Sequence, residues 1–274
     1  MPDSVKKVLF VSSEIYPYLP ESEVALTGRY LPQGIQERKK EIRSFMPRYG
    51  CVNERKNQLH EVIRLSGMNL IIGDADRPLI IKVASIPSAR MQVYFIDNED
   101  YFKRKQIYRD ENGVYFNDNA ERAVFFARGV LESVKKLRWA ADIIHCQGWM
   151  SSLVPLYLKK AYIQDPIFAN AKVVTSFYGD IPDQTFPEDI ARTILYGGVK
   201  AEDLAVLDNP DGIKLAELAA QYSDGVIFSS KDVDPAISDF CSGNGKKVLP
   251  FNEKAMEDGS YIDEYASFYD LLQE

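Results

Sequence analysis

With two histidines and three cysteines in 274 residues, the chain holds little material for metal or thiol chemistry. Cys51, Cys146 and Cys241 stand far apart, form no CxxC pair and are odd in number. They read as reduced thiols, not as a disulfide framework or a zinc site, and no metal and no cofactor are expected. Long apolar runs are missing too. The short one at residues 8–11 is far below the ~20 residues of a membrane helix and too short for a secretion-signal core, so the expectation is a cytoplasmic protein with no membrane partner. Excess positive charge is also absent: 33 Lys and Arg against 40 Asp and Glu give a net charge of -7. That balance leaves no electrostatic footprint for nucleic acid. No internal repeat, low-complexity tract or linker divides the sequence.

What is present is ordinary globular usage, 46% hydrophobic and 27% charged, so disorder does not describe the whole. Residues 6–12 (KKVLFVS) have the short apolar character of a buried parallel strand. Residues 24–39 follow a helical period, with Leu26, Tyr30, Leu31 and Ile35 on one face and Pro32 predicting a kink or break. Residues 41–46 give a second strand, and strand, helix, strand is a βαβ unit. Shorter strands are expected at 59–65, 79–84 and 91–96, as an antiparallel insertion at a sheet edge. A long amphipathic helix is expected at 118–138, strands at 142–146, 172–176 and 225–229, and helices at 150–160, 213–222, from 231 onward, and 261–272. The stretch 240–260 has the weakest pattern and reads as a loop. The fold class is thus α/β, a Rossmann-like parallel sheet flanked by helices, in a single domain over residues 1–274.

Several ordered segments resemble bacterial glycogen and plant starch synthases. The opening strand runs into Ser13-Glu14 and Pro17, the next helix contains Leu31-Pro32, and the second strand runs into Met46-Pro47-Arg48-Tyr49-Gly50. VYFID at 93–97, DNAER at 118–122, IIHCQGW at 143–149 and LAELAAQYSDGVIFSS at 215–230 follow in the family's order. The resemblance implies the N-terminal half of a GT-B glycosyltransferase, whose family reaction is glucose transfer from ADP-glucose to an α-1,4-glucan. On this reading the 240–260 loop replaces the family's second domain, and 261–274 is the helix that crosses back onto the first.

Three departures bear on chemistry. Where the family places Lys-Thr-Gly-Gly after the first strand, to let backbone amides and a lysine hold a diphosphate, this chain has Pro20-Glu21-Ser22-Glu23. Each carboxylate set ~4 Å from a phosphate charge costs on the order of 4 kcal/mol before screening, at an effective dielectric of ~20. The family's HxHDWH keeps only His145 and Trp149, with Gln147, Gly148 and Met150 in the remaining places, and its later HN is Phe177-Tyr178. The third departure is the length of the chain.

The resemblance makes Asp118, Asn119, His145, Trp149 and Tyr94 the candidate sugar contacts. Each has a plain alternative: a helix N-cap for Asp118 and Asn119, a hydrogen-bonded structural ring for His145, core packing for Trp149, and a core or rim position for Tyr94. No catalytic residue is assigned. Two functions are open. One is a module inactive by itself that binds a carbohydrate, or a protein on its cleft face. The other is an active glycosyltransferase subunit that completes its site with a partner chain. An α-glucan or a sugar nucleotide is the expected small partner.

Overall fold

Seven strands run parallel through the middle of the molecule. The computed structural model describes residues 5–274; residues 1–4 of the expected domain lie outside the described part. In chain order the strands are β1 (Lys7–Ser12), β2 (Glu41–Pro47), β3 (His60–Glu61), β4 (Met68–Ile72), β5 (Ala75–Ile86), β6 (Met91–Asp97), β7 (Ile143–Gln147), β8 (Lys172–Phe177), β9 (Gly225–Phe228) and β10 (Val248–Leu249). The helices are α1 (Glu23–Glu37), α2 (Glu99–Phe102), α3 (Asn119–Leu137), α4 (Val154–Lys160), α5 (Ile190–Ile194), α6 (Gly212–Tyr222), α7 (Pro235–Gly243), α8 (Glu253–Asp258) and α9 (Tyr261–Gln273). The sheet order is β10-β9-β8-β7-β1-β2-β6-β5-β3, with β4 on β5. Every neighbour pair from β10 to β6 is parallel. Strands β3, β4 and β5 form the antiparallel edge insertion.

Strand alternation builds two cores. Leu9 and Val11 point into the layer under α3, α4 and α6. Val8 and Phe10 point the other way, into a layer with Ile143, Val174 and Ile227 that α1 and α9 cover. Helix α9 closes this second face with Tyr261, Tyr265, Phe268, Tyr269 and Leu272, all buried. Phe268 and Leu272 lie so close over Gly225 that a Cβ there would be 2.8 Å from each. The tyrosine-rich stripe expected of the last helix therefore covers the sheet.

Local departures have physical reasons. Helix α1 runs through Pro32 without a break. The lost N–H is offset by burial of Leu31, Pro32 and Ile35 on one face, while Tyr30 turns outward. Residues 240–260 are not a continuous loop: α7 ends at Gly243, β10 adds an edge strand on β9, and α8 follows. The helix expected from residue 231 starts at Pro235, capped by the Asp234 side chain on the Ala236 N–H. Only His60–Glu61 of the 59–65 strand pairs. Residues 149–151 form a 3-10 turn before α4.

Candidate functional site

From β1 the chain steps to one side through β2 and β6, and later returns on the other side through β7. The strand order thus reverses between β1 and β7, and a doubly wound sheet binds ligands at the C-terminal ends of such strands. Here those ends carry Ser13-Glu14 and Gly148-Trp149. Gly148 has φ +76, and a Cβ on it would be 2.6 Å from Ser13 Oγ; that oxygen accepts the Met150 N–H at 2.9 Å. Gly28 of α1 comes equally close to the end of β1, its absent Cβ 2.5 Å from the Glu14 carbonyl.

Glu14 is the hub of this edge. Its carboxylate accepts Ser22 Oγ at 2.7 Å and the Tyr108 hydroxyl at 3.1 Å. Ser22 is the N-cap of α1 and accepts the Ala25 N–H at 3.0 Å. The positive end of α1 is therefore occupied by the protein's own carboxylates, Glu14 through Ser22 and Glu23 in the first turn. Tyr108 also meets the Tyr49 hydroxyl at 3.3 Å, and its ring lies edge-on to Trp149 at 5.0 Å. Burial pushes both phenols above their usual range, that of Tyr108 well above. Asp180 follows β8 and accepts the Trp149 N–H at 3.2 Å. Its pKa is raised to about 7, chiefly by burial, with the nearby charges of Glu14 and Glu23 adding.

The sequence candidates divide. Asn119 is fully buried and ties three segments: its amide donates to the Tyr108 carbonyl and to Gln184 Oε1, both at 2.9 Å, and its oxygen accepts Arg122 at 2.6 Å. Asp118 occupies the N-cap position of α3 without a capping bond from its side chain. It instead holds Arg104 through both guanidinium nitrogens. Trp149 is buried against Tyr108. Asn119 and Trp149 thus meet at Tyr108, at the C-terminal edge, with Asp118 next to Asn119 in the chain.

His145 does not join them. It lies within β7, on the face α9 covers, fully buried between Ser176 Oγ at 2.7 Å and the Tyr269 hydroxyl at 2.6 Å. Burial lowers its pKa to about 3. Tyr94 is elsewhere again. Its ring stacks on Phe45, and its hydroxyl accepts Arg43 at 2.8 Å. Arg43 stands near the start of β2, so this contact belongs to the opposite end of the sheet. Glu14, Tyr108 and Asp180 were not among the expected site residues. Glu14 was visible in the Ser-Glu pair, and Asp180 lies just past the end of a parallel strand, the position to search.

Beside Asp180 a groove of about 280 Å³ opens at the same edge. Asp183, Gln184, Thr185, Asp211 and Asp234 line it. Gln184 is held in place by Asn119 and by the Phe116 carbonyl, to which it donates at 3.0 Å. The Tyr115 hydroxyl accepts the Asp183 N–H at 3.1 Å.

The family profile of the starch synthase catalytic domain matches residues 7–246. The chain belongs to the starch synthase catalytic domain family. A glycogen synthase of Chlorobium limicola is 34% identical over 249 residues, covering 87% of this chain and 48% of that protein. A glycogen synthase of Pelodictyon phaeoclathratiforme is 37% identical over 217 residues, covering 72% and 44%. The catalytic domain of starch synthase IV from Arabidopsis thaliana, solved with ADP and acarbose, superposes with a TM-score of 0.71 at 15% identity, over 91% of this chain and 51% of that one. The chain therefore has the fold of half a GT-B catalytic unit, and it spans about half the length of the curated relatives it matches. Among the described residues no helix is long and apolar enough to cross a membrane.

Proposed function

We propose that this glycogen/starch synthase-like glycosyltransferase domain does not transfer glucose from ADP-glucose by itself, and that it binds a neutral α-1,4-glucan at the C-terminal edge of its sheet. The observation that carries the reading is the α1 N-terminus. Where the family cradles a diphosphate, Ser22 Oγ donates to Glu14 and Glu23 follows in the first turn. An incoming diphosphate meets carboxylates in place of free amides and a lysine. Asp180 adds either a further negative charge or a neutral acid, and no cation in either form.

The same acidity suits a neutral polyol. Asp183, Asp211 and Asp234 offer carboxylate oxygens to sugar hydroxyls, and Gln184 is pre-positioned by Asn119. Asp211 and Asp234 each accept one backbone N–H as helix caps, and a carboxylate has acceptor capacity beyond one bond.

A radiolabel assay tests the first half. Purified chain, ADP-[14C]glucose and glycogen are incubated beside an active glycogen synthase, and label is counted in precipitated glucan. No incorporation above background is expected. Binding of maltoheptaose that weakens about tenfold in Asp183→Asn/Asp211→Asn supports the second half; binding untouched by that variant removes the groove from the account. The second reading, a catalytic subunit completed by a partner chain, draws on the half-length match to the relatives. Incorporation that appears only when a second polypeptide is added selects it.

A further inference from the structure

At the opposite end of the sheet, where the parallel strands begin, lies a second cavity of about 420 Å³. That is within the ~300–1,000 Å³ of small-molecule sites. Its polar lining comes from Arg43, Arg90, Gln36, Gln92, Ser85 and Tyr94, with no carboxylate among the lining residues. Two arginines thus line this cavity in a chain of net charge -7.

We infer that this cavity binds a phosphomonoester with a hydroxyl-bearing body, about the size of a hexose phosphate. Arg43 is held in place for the task. Its guanidinium lies 5.1 Å from the Trp139 ring and 5.8 Å from the Tyr94 ring, and Nη1 donates to the Tyr94 hydroxyl at 2.8 Å. Nε is buried without a hydrogen-bond partner. Among the described residues neither Arg43 nor Arg90 is paired with a carboxylate. Two guanidiniums with planar donor faces and no directly paired carboxylate suit an oxyanion, which accepts bidentate bonds. Arg90 sits in the left-handed region, φ 52, directly after the short turn Pro87–Ala89, and this turn sets it at the mouth.

The body of the ligand is read from the other donors and acceptors. Gln36 donates to the Ala89 carbonyl at 3.3 Å, which leaves its own oxygen available. Gln92 and Ser85 are exposed on the rim. Such groups pair with hydroxyls. Two features oppose an anion: the Glu41 carboxylate, which accepts Trp139 Nε1 at 3.2 Å beside the ring that Arg43 lies over and is itself paired with Lys7 at 3.9 Å, and the C-terminal end of α1, whose dipole disfavours an anion. The Gly34 carbonyl there accepts both the Arg38 N–H and the Arg38 guanidinium, and Lys39 N–H bonds the Gln36 carbonyl, so the end is already partly neutralised.

The test is calorimetric titration of the whole chain with fructose 6-phosphate, inorganic phosphate and fructose at constant ionic strength. Saturable binding of fructose 6-phosphate is expected, with inorganic phosphate weaker and fructose silent. Arg43→Gln and Arg90→Gln should each weaken it roughly tenfold or more, while maltoheptaose binding stays unchanged. Arg90 is exposed, so its variant decides the matter if Arg43→Gln does not fold. No saturation at about 10 mM, equal affinity for the two anions, or affinity indifferent to Arg90→Gln would each overturn the assignment.

Discussion

His145 offers a way to test the α9 face through pH. Its ring is neutral in the fold, with a pKa lowered to about 3 by burial, against ~6.5 in an unfolded chain. Below pH 6.5 the unfolded state takes up a proton that the folded state refuses, so this residue's contribution falls as pH drops and levels off near pH 3. Between pH 7 and pH 5 the two pKa values give a loss of about 2 kcal/mol. His145→Phe keeps a ring but removes the titration. It leaves the Ser176 and Tyr269 hydroxyls without their partner, at about 1–3 kcal/mol for each buried group left unpaired. Urea denaturation of both proteins should therefore show the parent clearly more stable at pH 7 and its advantage about 2 kcal/mol smaller at pH 5. Taking the difference between the proteins cancels the other titrating groups. A stability difference independent of pH would refute a buried neutral His145 and the packing of α9 over it.

Other residues give further tests. Asp180→Asn should gain on the parent as pH rises from 4 to 8 in the same denaturation assay. A carboxyl with a folded pKa near 7 and an unfolded one near 3.9 contributes stability at low pH that is lost as pH climbs through 7. Asn119→Ala strands the Gln184 amide oxygen and one Arg122 donor, and leaves the Tyr108 carbonyl with the Phe116 N–H alone. It should cost roughly 2–4 kcal/mol and weaken maltoheptaose binding by loosening Gln184. Gly148→Ala combines a positive φ with a 2.6 Å approach to Ser13 Oγ. A loss above about 2 kcal/mol in thermal or urea unfolding is expected.

The parallel strands were legible because a strand buried on both faces is a short, mainly apolar run, as VLFV at 8–11 is. The last helix was legible from its tyrosine stripe, which had no use other than covering a surface. Strand β4 escaped notice, although Gly73-Asp74 joins it to β5 in a two-residue turn with Gly73 at φ +58, a hairpin signal present in the sequence. The candidate site was less legible. Alternation along β7 puts His145 on the same face as Ile143 and therefore under α9, but a motif match carries no information about which face is covered. Tyr94 failed to join the others for a related reason: its place in the family's order fixed a strand, not the end of the sheet its side chain serves. Residues 240–260 lack periodicity because the elements there are a two-residue edge strand and a six-residue helix, too short to show a pattern.

The most direct measurement of the central claim is a parallel titration of the purified chain with maltoheptaose and with ADP-glucose. Saturable binding of the neutral glucan and none of the sugar nucleotide is expected, because Glu14, Ser22 and Glu23 occupy the α1 N-terminus. Saturable binding of ADP-glucose with no response to maltoheptaose would contradict that claim.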